Sequence, residues 1–390
     1  MSTLDLAALR TAVEARHSRY LVELEQLVNI DCGSYTPAGV NRVADFVAEA
    51  LAELGATVER KPHTAAPDEA PLGELLVGRI RGSGPRLLLM GHMDTVFPEG
   101  TAAARPFRTD GHRALGPGVS DMKGGLLAGL HATAALFATG AEPNVTFMAN
   151  PDEEIGSPFS TPHIRALVAS HDVALVLECA RANGDIVTAR KGIADYEITL
   201  IGRAAHAGVE PEKGRSAILE AARQVVALHR LNGRWPSVTV NAGVIEGGTR
   251  PNVVAEACRI ELDLRAASAQ AFALAEAEVT RLVENPTTEG VGTALRRVAH
   301  HPPMERTPAA AGLAALAASI GAELGFTLRD AATGGASDAN TTSAAGLPTL
   351  DGLGPVGGDD HSVDEWLDLD SVVPRTTLLA ALMTRIGEAL

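Results

Sequence analysis

Apolar residues recur at helical spacing near the start of the chain. The pattern predicts one or two helices over 4–28 and an amphipathic helix over 40–55 that ends at Gly55. Short apolar runs then predict strands over 75–80 and 86–90. Because helices alternate with apolar strands, this part of the chain indicates an α/β core.

The same alternation continues further along the chain. A strongly helical run covers 126–137, strands are predicted over 145–150 and 173–177, and a final helix over 372–390. In open α/β sheets, ligands bind at the carboxyl ends of the strands. The residues that follow each predicted strand are therefore candidates for a functional site.

The middle of the chain has a different pattern. Strands and helices are predicted there in the order β-α-β-β-α, at 195–202, 215–230, 237–245, 253–265 and 269–283. This order is typical of a compact α+β unit. We therefore predict one domain formed by residues 1–192 and 303–390, and an inserted domain formed by residues 193–302.

Composition adds limits on function. With 390 residues, 46% hydrophobic and 21% charged, the chain fits a globular protein of two domains, and its net charge of −15 argues against nonspecific nucleic-acid binding. Cys32, Cys179 and Cys258 lie far apart, so no disulfide framework and no CxxC metal site is expected. We see no signal peptide or membrane-spanning run and expect a cytoplasmic protein without membrane partners.

A histidine and a carboxylate follow the strand predicted over 86–90. His92 and Asp94 are two residues apart, so they point the same way from an extended backbone. An imidazole that binds a metal through one nitrogen often donates its other N–H to a carboxylate. The pair suits a metal site, although a lone His-x-Asp pair is more often structural.

More acidic residues and a second histidine follow other predicted elements. Glu153 and Glu154 come after one strand, and Glu178 comes after the next. Asp121 precedes a helix, where an N-cap is the alternative role. His361 lies in a Gly-rich loop, where a histidine has little structural purpose.

Five of these residues together fit a site for two metal ions: His92, Asp121, Glu154, Glu178 and His361. Each ion would receive one histidine and one carboxylate, with Asp121 bridging. Nitrogen and oxygen ligands without thiolate favour zinc, with cobalt or manganese as substitutes. In such a site an activated water attacks a carbonyl, Glu153 would be the general base, and Asp94 would orient His92.

The chain resembles the co-catalytic zinc peptidase family of glutamate carboxypeptidases, aminoacylases, and acetylornithine and succinyl-diaminopimelate deacylases. The matching motifs span nearly the whole chain in order, at 91–96, 116–125, 152–157, 178, 205–208, 334–338 and 361–362. Bacterial glutamate carboxypeptidases are the most similar branch, and Glu178, as a glutamate, resembles the carboxypeptidase and acylase branches more than the dipeptidases.

The resemblance implies an α/β catalytic domain with a mixed central sheet flanked by helices, and an inserted α+β, ferredoxin-like domain that serves as lid and dimerisation surface. It implies that His206 reaches the neighbouring subunit's active site and stabilises the tetrahedral intermediate. Asn252 and Arg265 would hold the substrate's carboxylate, which an arginine fork suits. The alternatives are a turn histidine for His206 and an ion pair at a strand end for Arg265.

Three features depart from the family pattern. Met122 stands where a second aspartate is common, and we expect the Asp121–Met122 peptide to be cis, as it usually is in the family. Arg190 and Lys191 replace smaller residues, either adding charge that alters side-chain preference or remaining solvated. His301 falls where an arginine is expected, which leaves the preference for glutamate open.

The resemblance implies metal-dependent hydrolysis of an amide bond in a small substrate or peptide with a free carboxylate. The first alternative is an N-acyl-amino-acid deacylase of the aminoacylase or acetylornithine deacetylase type, which differs in which side of the scissile amide is large. A non-catalytic binding protein on the same scaffold would be favoured if a ligand or the base were missing, but all are present. A homodimer through the inserted domain is expected.

Overall fold

The computed structural model describes residues 5–67 and 69–389, so residues 4 and 390, at the ends of two predicted helices, lie outside the described part. The chain forms two compact units. The larger unit consists of Met1–Thr188, Arg306–Ala332 and Ser337–Leu390, and the smaller unit consists of Ala189–Glu305 and Thr333–Ala336. The sequence pattern did not assign Thr333–Ala336 to the insert.

The helices and strands follow one another along the whole chain. The α-helices are α1 Leu6–Glu14, α2 His17–Val28, α3 Pro37–Glu53, α4 Thr101–Ala104, α5 Gly124–Ala138, α6 Thr161–Val168, α7 Ala217–His229, α8 Ala269–Glu284, α9 Pro308–Glu323, α10 Asp338–Ala344 and α11 Leu369–Arg385. The strands are β1 Thr57–Lys61, β2 Leu75–Ile80, β3 Ser83–His92, β4 Arg108–Thr109, β5 Arg113–Leu115, β6 Pro143–Asn150, β7 Val173–Val176, β8 Ile186–Arg190, β9 Gly192–Ile201, β10 Thr239–Gly247, β11 Ala257–Ala266, β12 Gly292–His301, β13 Asp330–Thr333, β14 Thr349–Leu350, β15 Gly357–Gly358 and β16 Trp366–Asp368.

The larger unit is organised around a six-stranded sheet in the order β1-β2-β6-β3-β7-β14. Strands β6, β3, β7 and β14 are parallel, whereas β1 and β2 run antiparallel to their neighbours. The predicted mixed α/β sheet is therefore confirmed. β3 and β7 are buried on both faces where they pair, which explains why they appear as continuous apolar runs in the sequence.

A second, small sheet in the larger unit joins two loops that matter for the site. Its order is β15-β16-β5-β4. The loop after β5 leads to Asp121, and the loop between β15 and β16 carries His361. Within the described residues, no helix combines the length and apolar composition that a bilayer crossing requires.

The smaller unit contains a four-stranded antiparallel sheet in the order β10-β11-β9-β12. Two helices, α7 and α8, pack on it, and buried and less buried residues alternate along β9 and β11. The element order β9-α7-β10-β11-α8-β12 is ferredoxin-like, as predicted. Its fourth strand, β12, is absent from the sequence prediction.

Helix α5 approaches the end of β7 so closely that only glycine fits at residue 125. A Cβ atom at Gly125 would overlap the carbonyl oxygen of Leu177. Gly125→Ala should therefore lower the free energy of unfolding by about 1–3 kcal/mol, the usual cost of overpacking a core. Urea titration measures this change.

Gly312, inside helix α9, is the matched control for this prediction. A Cβ there would have its nearest neighbour at an ordinary 3.8 Å, the carbonyl oxygen of Ala389. Gly312→Ala should raise the free energy of unfolding by about 0.5–1 kcal/mol because alanine restricts the unfolded chain. Equal effects from both substitutions would contradict the packing argument.

Candidate active site and metal centre

Three neighbouring parallel strands deliver candidate ligands to one edge of the central sheet. β3 ends at His92, and β6 and β7 lie on either side of it. Glu153 and Glu154 follow β6 in a short 3-10 turn, and Glu178 follows β7. The strand ends predicted from apolar runs therefore meet at the same edge of the sheet.

Asp121 connects two groups of side chains through its two carboxylate oxygens. Oδ1 lies 2.9 Å from Nε2 of His92, which is also 3.7 Å from Oε1 of Glu178. Oδ2 lies 3.0 Å from Nε2 of His361, which is also 3.2 Å from Oε2 of Glu154. The structure thus brings together all five residues predicted as metal ligands.

These spacings suit a bound cation. Two ligands at about 2.1 Å from a tetrahedral zinc ion would lie about 3.4 Å apart, close to the observed distances. Ligand atoms of His92, Asp121 and Glu154 all lie within 4.8 Å of one another. Oε1 of Glu154 is buried and accepts no hydrogen bond from the described residues, and a bound cation would give this oxygen the positive partner that it lacks. The residues present therefore fit a metal.

The charges at the site also favour cation binding. Burial acts to raise the pKa of Asp121, but hydrogen bonds from His361 and His92 hold it well below its ordinary value. Contacts with Asp121 and then Glu154 raise the pKa of His361 to about 11. The carboxylates thus favour positive charge beside the two histidines, as binding of a cation requires.

Asp94 holds both His92 and the turn that carries the two glutamates. It is 1% exposed, and its Oδ1 lies 3.4 Å from Nδ1 of His92. The backbone carbonyl of Asp94 is nearer to the same nitrogen, at 3.0 Å. The backbone N–H groups of Glu153 and Glu154 each donate to the Asp94 carboxylate at 3.1 Å, and Oγ of Ser34 donates at 2.7 Å. Asp94 therefore contacts both the imidazole of His92 and the backbone of the turn that carries Glu153 and Glu154.

Glu153 lies beside the candidate ligands in a low-dielectric environment. Burial raises the pKa of its carboxyl well above the ordinary value, and the charges of Glu178 and Glu154 act in the same direction, against an opposing effect of His92. A carboxylate that accepts a proton near neutral pH needs such a raised pKa. The environment suits the predicted role of general base.

The loop that carries Asp121 resolves one of the alternatives from the sequence. Helix α5 begins at Gly124, and the residue before it, Lys123, makes no side-chain cap. Asp121 lies two residues before this N-cap position, so it is not the N-cap of α5. The peptide bond between Asp121 and Met122 is cis, which confirms that prediction.

A buried polar network behind Glu153 was not assigned a role from the sequence. Asp338 accepts a hydrogen bond from Oγ of Ser157 at 2.6 Å and another from the side chain of Asn150. Burial raises the pKa of Asp338 to about 7. Asp338 belongs to the family motif at 334–338, so the sequence singled out this residue. Its contact with Asn150, at the end of β6, was not predicted.

His206, Asn252 and Arg265 all belong to the smaller unit. The segments around the first two are paired, because the N–H of Ala207 donates to the carbonyl of Asn252 at 3.0 Å. The ion pair considered for Arg265 is present, with Nε at 2.9 Å from Oδ2 of Asp263. Arg265 also donates to the carbonyl of Gly334 at 3.0 Å. The roles of these residues toward a substrate stay predictions.

The surroundings of Arg190 and of the three cysteines bear on two further predictions from the sequence. Arg190 is 7% exposed and donates to the carbonyls of Gly335 and Ala336, at 3.2 and 3.4 Å, so the solvated alternative is wrong for this residue. Arginine is suited to such a role because its guanidinium offers several donors in a fixed plane. The three cysteines are free, in agreement with the prediction of no disulfide framework, and all three are buried.

The site can be compared with known proteins. The model of Peptidase family M20/M25/M40 matches residues 88–385. Carboxypeptidase G2 from Pseudomonas sp. is 30% identical over 370 residues, which cover 93% of this chain and 88% of that protein. Succinyl-diaminopimelate desuccinylase from Methylobacterium radiotolerans is 30% identical over 369 residues, covering 86% and 89%.

A solved structure has a fold similar to that of this chain. Aminopeptidase PepT from Bacillus cereus matches with a TM-score of 0.77 and 22% identity, covering 95% of this chain and 98% of that one. Its low identity shows the fold alone, whereas the family model extends over the strands and loops that carry the candidate ligands. The chain is therefore a metallopeptidase that belongs to Peptidase family M20/M25/M40.

Proposed function

We propose that the protein hydrolyses the amide bond that links a C-terminal amino acid to a small acyl or peptidyl group, as a glutamate-carboxypeptidase-like enzyme. The observation that carries the proposal is the shared carboxylate of Asp121, which faces one histidine through each oxygen, beside Glu153. Similarity to carboxypeptidase G2 over 93% of the chain supports this choice within the family.

Two zinc ions are the metals we propose. His92, Glu178 and Asp121 would hold one ion, and His361, Glu154 and Asp121 would hold the other. When bound, they supply Lewis acidity toward the scissile carbonyl and toward water. Their ligands are nitrogen and oxygen atoms, so Co²⁺ and Mn²⁺ are expected substitutes.

The remaining steps belong to side chains of the chain itself. Glu153 would take a proton from the attacking water and pass it to the leaving amine. Asp94 would keep His92 oriented and hold the Glu153–Glu154 turn by accepting its N–H groups. Proton transfer and metal binding are thus assigned to different residues, so substitutions can test the two roles separately.

Residues of the smaller unit would bind the substrate. We propose that Arg265 and Asn252 hold its free carboxylate and that His206 stabilises the oxyanion in the active site of a second copy of the chain. A homodimer through 193–302 is part of this proposal, with 1–192 and 303–390 as the catalytic domain. The family resemblance supports these roles, and the fork of Arg265 suits a carboxylate if it exchanges its contact with Asp263.

A deacylase is the second candidate, and a specific similarity favours it. Succinyl-diaminopimelate desuccinylase is as similar in identity as the carboxypeptidase, 30%. A deacylase would remove a small acyl group from varied amino acids, whereas a carboxypeptidase would tolerate a large acyl group and select the C-terminal residue. Both would use the same candidate ligands and Glu153.

A substrate panel distinguishes the two candidates. Zinc-loaded protein is incubated with N-acyl amino acids and dipeptides, and metal content is counted in the same sample. We expect release of a C-terminal acidic residue at about two metals per chain, the number that a two-ion hydrolytic site requires. Preference for small acyl groups would favour the deacylase, and protein without bound metal would refute both.

A further inference from the structure

The loop that carries Asp121 has backbone N–H groups that regular secondary structure does not pair. It connects β5 to α5, and Asp121 has a φ of −114° and a ψ of 93°. Gly118, three residues earlier, has a left-handed φ of 71°. Unpaired N–H groups in a buried loop are costly, so another part of the protein must accept from them. Their partner determines where the Asp121 carboxylate lies.

Glu365 is that partner. It is 1% exposed, and Oε2 accepts from the N–H of Gly118 at 2.9 Å. Its Oε1 accepts from the N–H groups of Ser120 at 2.9 Å and Asp121 at 3.0 Å. Three N–H groups of one loop that converge on one carboxylate make strong, directional contacts. The side chain of Glu365 thus holds the loop backbone at Gly118, Ser120 and Asp121.

The same glutamate closes the loop that carries His361. β15 and β16 pair with Gly358 opposite Trp366, so the loop between them ends at Glu365. β16 also pairs with β5, with Trp366 opposite Leu115. Both ligand-bearing loops therefore leave the same small sheet, and the Glu365 carboxylate links them close to the point where they leave it.

We propose that Glu365 is a positioning residue that sets the spacing between Asp121 and His361, and the inference rests on the metal-dependent function proposed above. Oδ2 of Asp121 lies 3.0 Å from Nε2 of His361, so any drift of either loop changes how the two side chains share a cation. Groups that orient metal ligands typically contribute about 10–100-fold to metal affinity or activity.

Glu365→Gln tests the proposal with a side chain of the same shape. A glutamine amide has one oxygen, so its NH₂ group must face at least one of the three N–H groups that the carboxylate accepts from. We expect the metal Kd to rise about 10–100-fold. Competition with a chromophoric chelator measures the Kd, and the visible absorption spectrum of Co²⁺-substituted protein reports the changed ligand geometry.

Glu220 in the smaller unit provides a matched control. It is also 1% exposed, and its carboxylate accepts from the N–H of Thr288 at 2.7 Å and from that of Thr287 at 3.0 Å. Glu220→Gln disturbs the same kind of buried contact between a carboxylate and a loop. It should lower the Tm and leave the metal Kd and the Co²⁺ spectrum at their wild-type values.

Glu365→Asp is the second variant, because it keeps the charge but draws the carboxylate back by one methylene. It should weaken metal binding in the same way. A folded Glu365 variant with a wild-type metal Kd and Co²⁺ spectrum would overturn the proposal. So would fast amide hydrogen exchange at Ser120 and Asp121 in the wild-type chain, whether or not the variants fold. Wild-type protein that binds no metal would instead refute the proposed function.

Discussion

Glu153→Gln should lower kcat about 10²–10⁴-fold, the contribution typical of a general base, while metal content stays at the wild-type level. Glutamine keeps the shape of the side chain but cannot accept the proton of the attacking water. The backbone of residue 153 remains held by Asp94, to which its N–H donates at 3.1 Å, so the variant should fold normally. KM should change little because the candidate ligands and the proposed carboxylate-binding residues are intact.

The neighbouring residue supplies the contrast for this prediction. Glu154→Gln removes the carboxylate whose Oε2 lies 3.2 Å from Nε2 of His361. We expect this variant to lose metal, whereas Glu153→Gln keeps it. Steady-state kinetics and metal counting on both variants separate proton transfer from metal binding. Wild-type turnover by fully metallated Glu153→Gln would remove Glu153 from the mechanism.

The sequence predicted the elements whose pattern is local. β3, β6 and β7 each contain a buried apolar run, and each strand is found close to its predicted position. Their ends carry His92, the glutamate pair and Glu178, so three of the candidate ligand positions followed from strand periodicity and chain order alone. These features depend on burial of residues close in sequence.

Other elements were missed because their pattern is weak or their length is short. β12 has only exposed and half-buried residues and is interrupted by a bulge between Arg297 and Ala299, so it lacks the buried positions that alternate along β9 and β11. β5 and β16 have three residues each and form by pairing with one another and with β4 and β15. No local rule finds such strands.

The supporting contacts of the site lie beyond sequence reasoning for the same reason. Glu365 accepts from the backbone of Asp121 across 244 positions of chain, and Asp338 contacts Asn150 across 188. Both are buried carboxylates that resemble surface residues until the fold brings their donors together. The sequence could therefore name the candidate metal ligands, but only the structure shows what keeps them in place.

Asp121→Asn should reduce the bound metal from about two ions per chain toward one. It should also lower kcat/KM by more than the 10–100-fold that is typical for loss of a residue that only orients a metal ligand. An asparagine amide offers one oxygen, whereas the structure uses both oxygens of Asp121, one facing His92 at 2.9 Å and the other facing His361 at 3.0 Å. The NH₂ group that replaces the second oxygen has no lone pair for a cation.

Asp172→Asn is the control at the opposite end of the same sheet. Asp172 precedes β7, whereas Glu178 follows it, and its carboxylate pairs with Arg86 at 2.6 Å. Its replacement should leave metal content and turnover unchanged, since an exposed ion pair contributes little to stability. Metal counting and kinetics on both variants test the shared role of Asp121. If Asp121→Asn bound both ions at wild-type affinity, no ion would depend on the second oxygen, and the bridging assignment would have to be abandoned even if turnover fell.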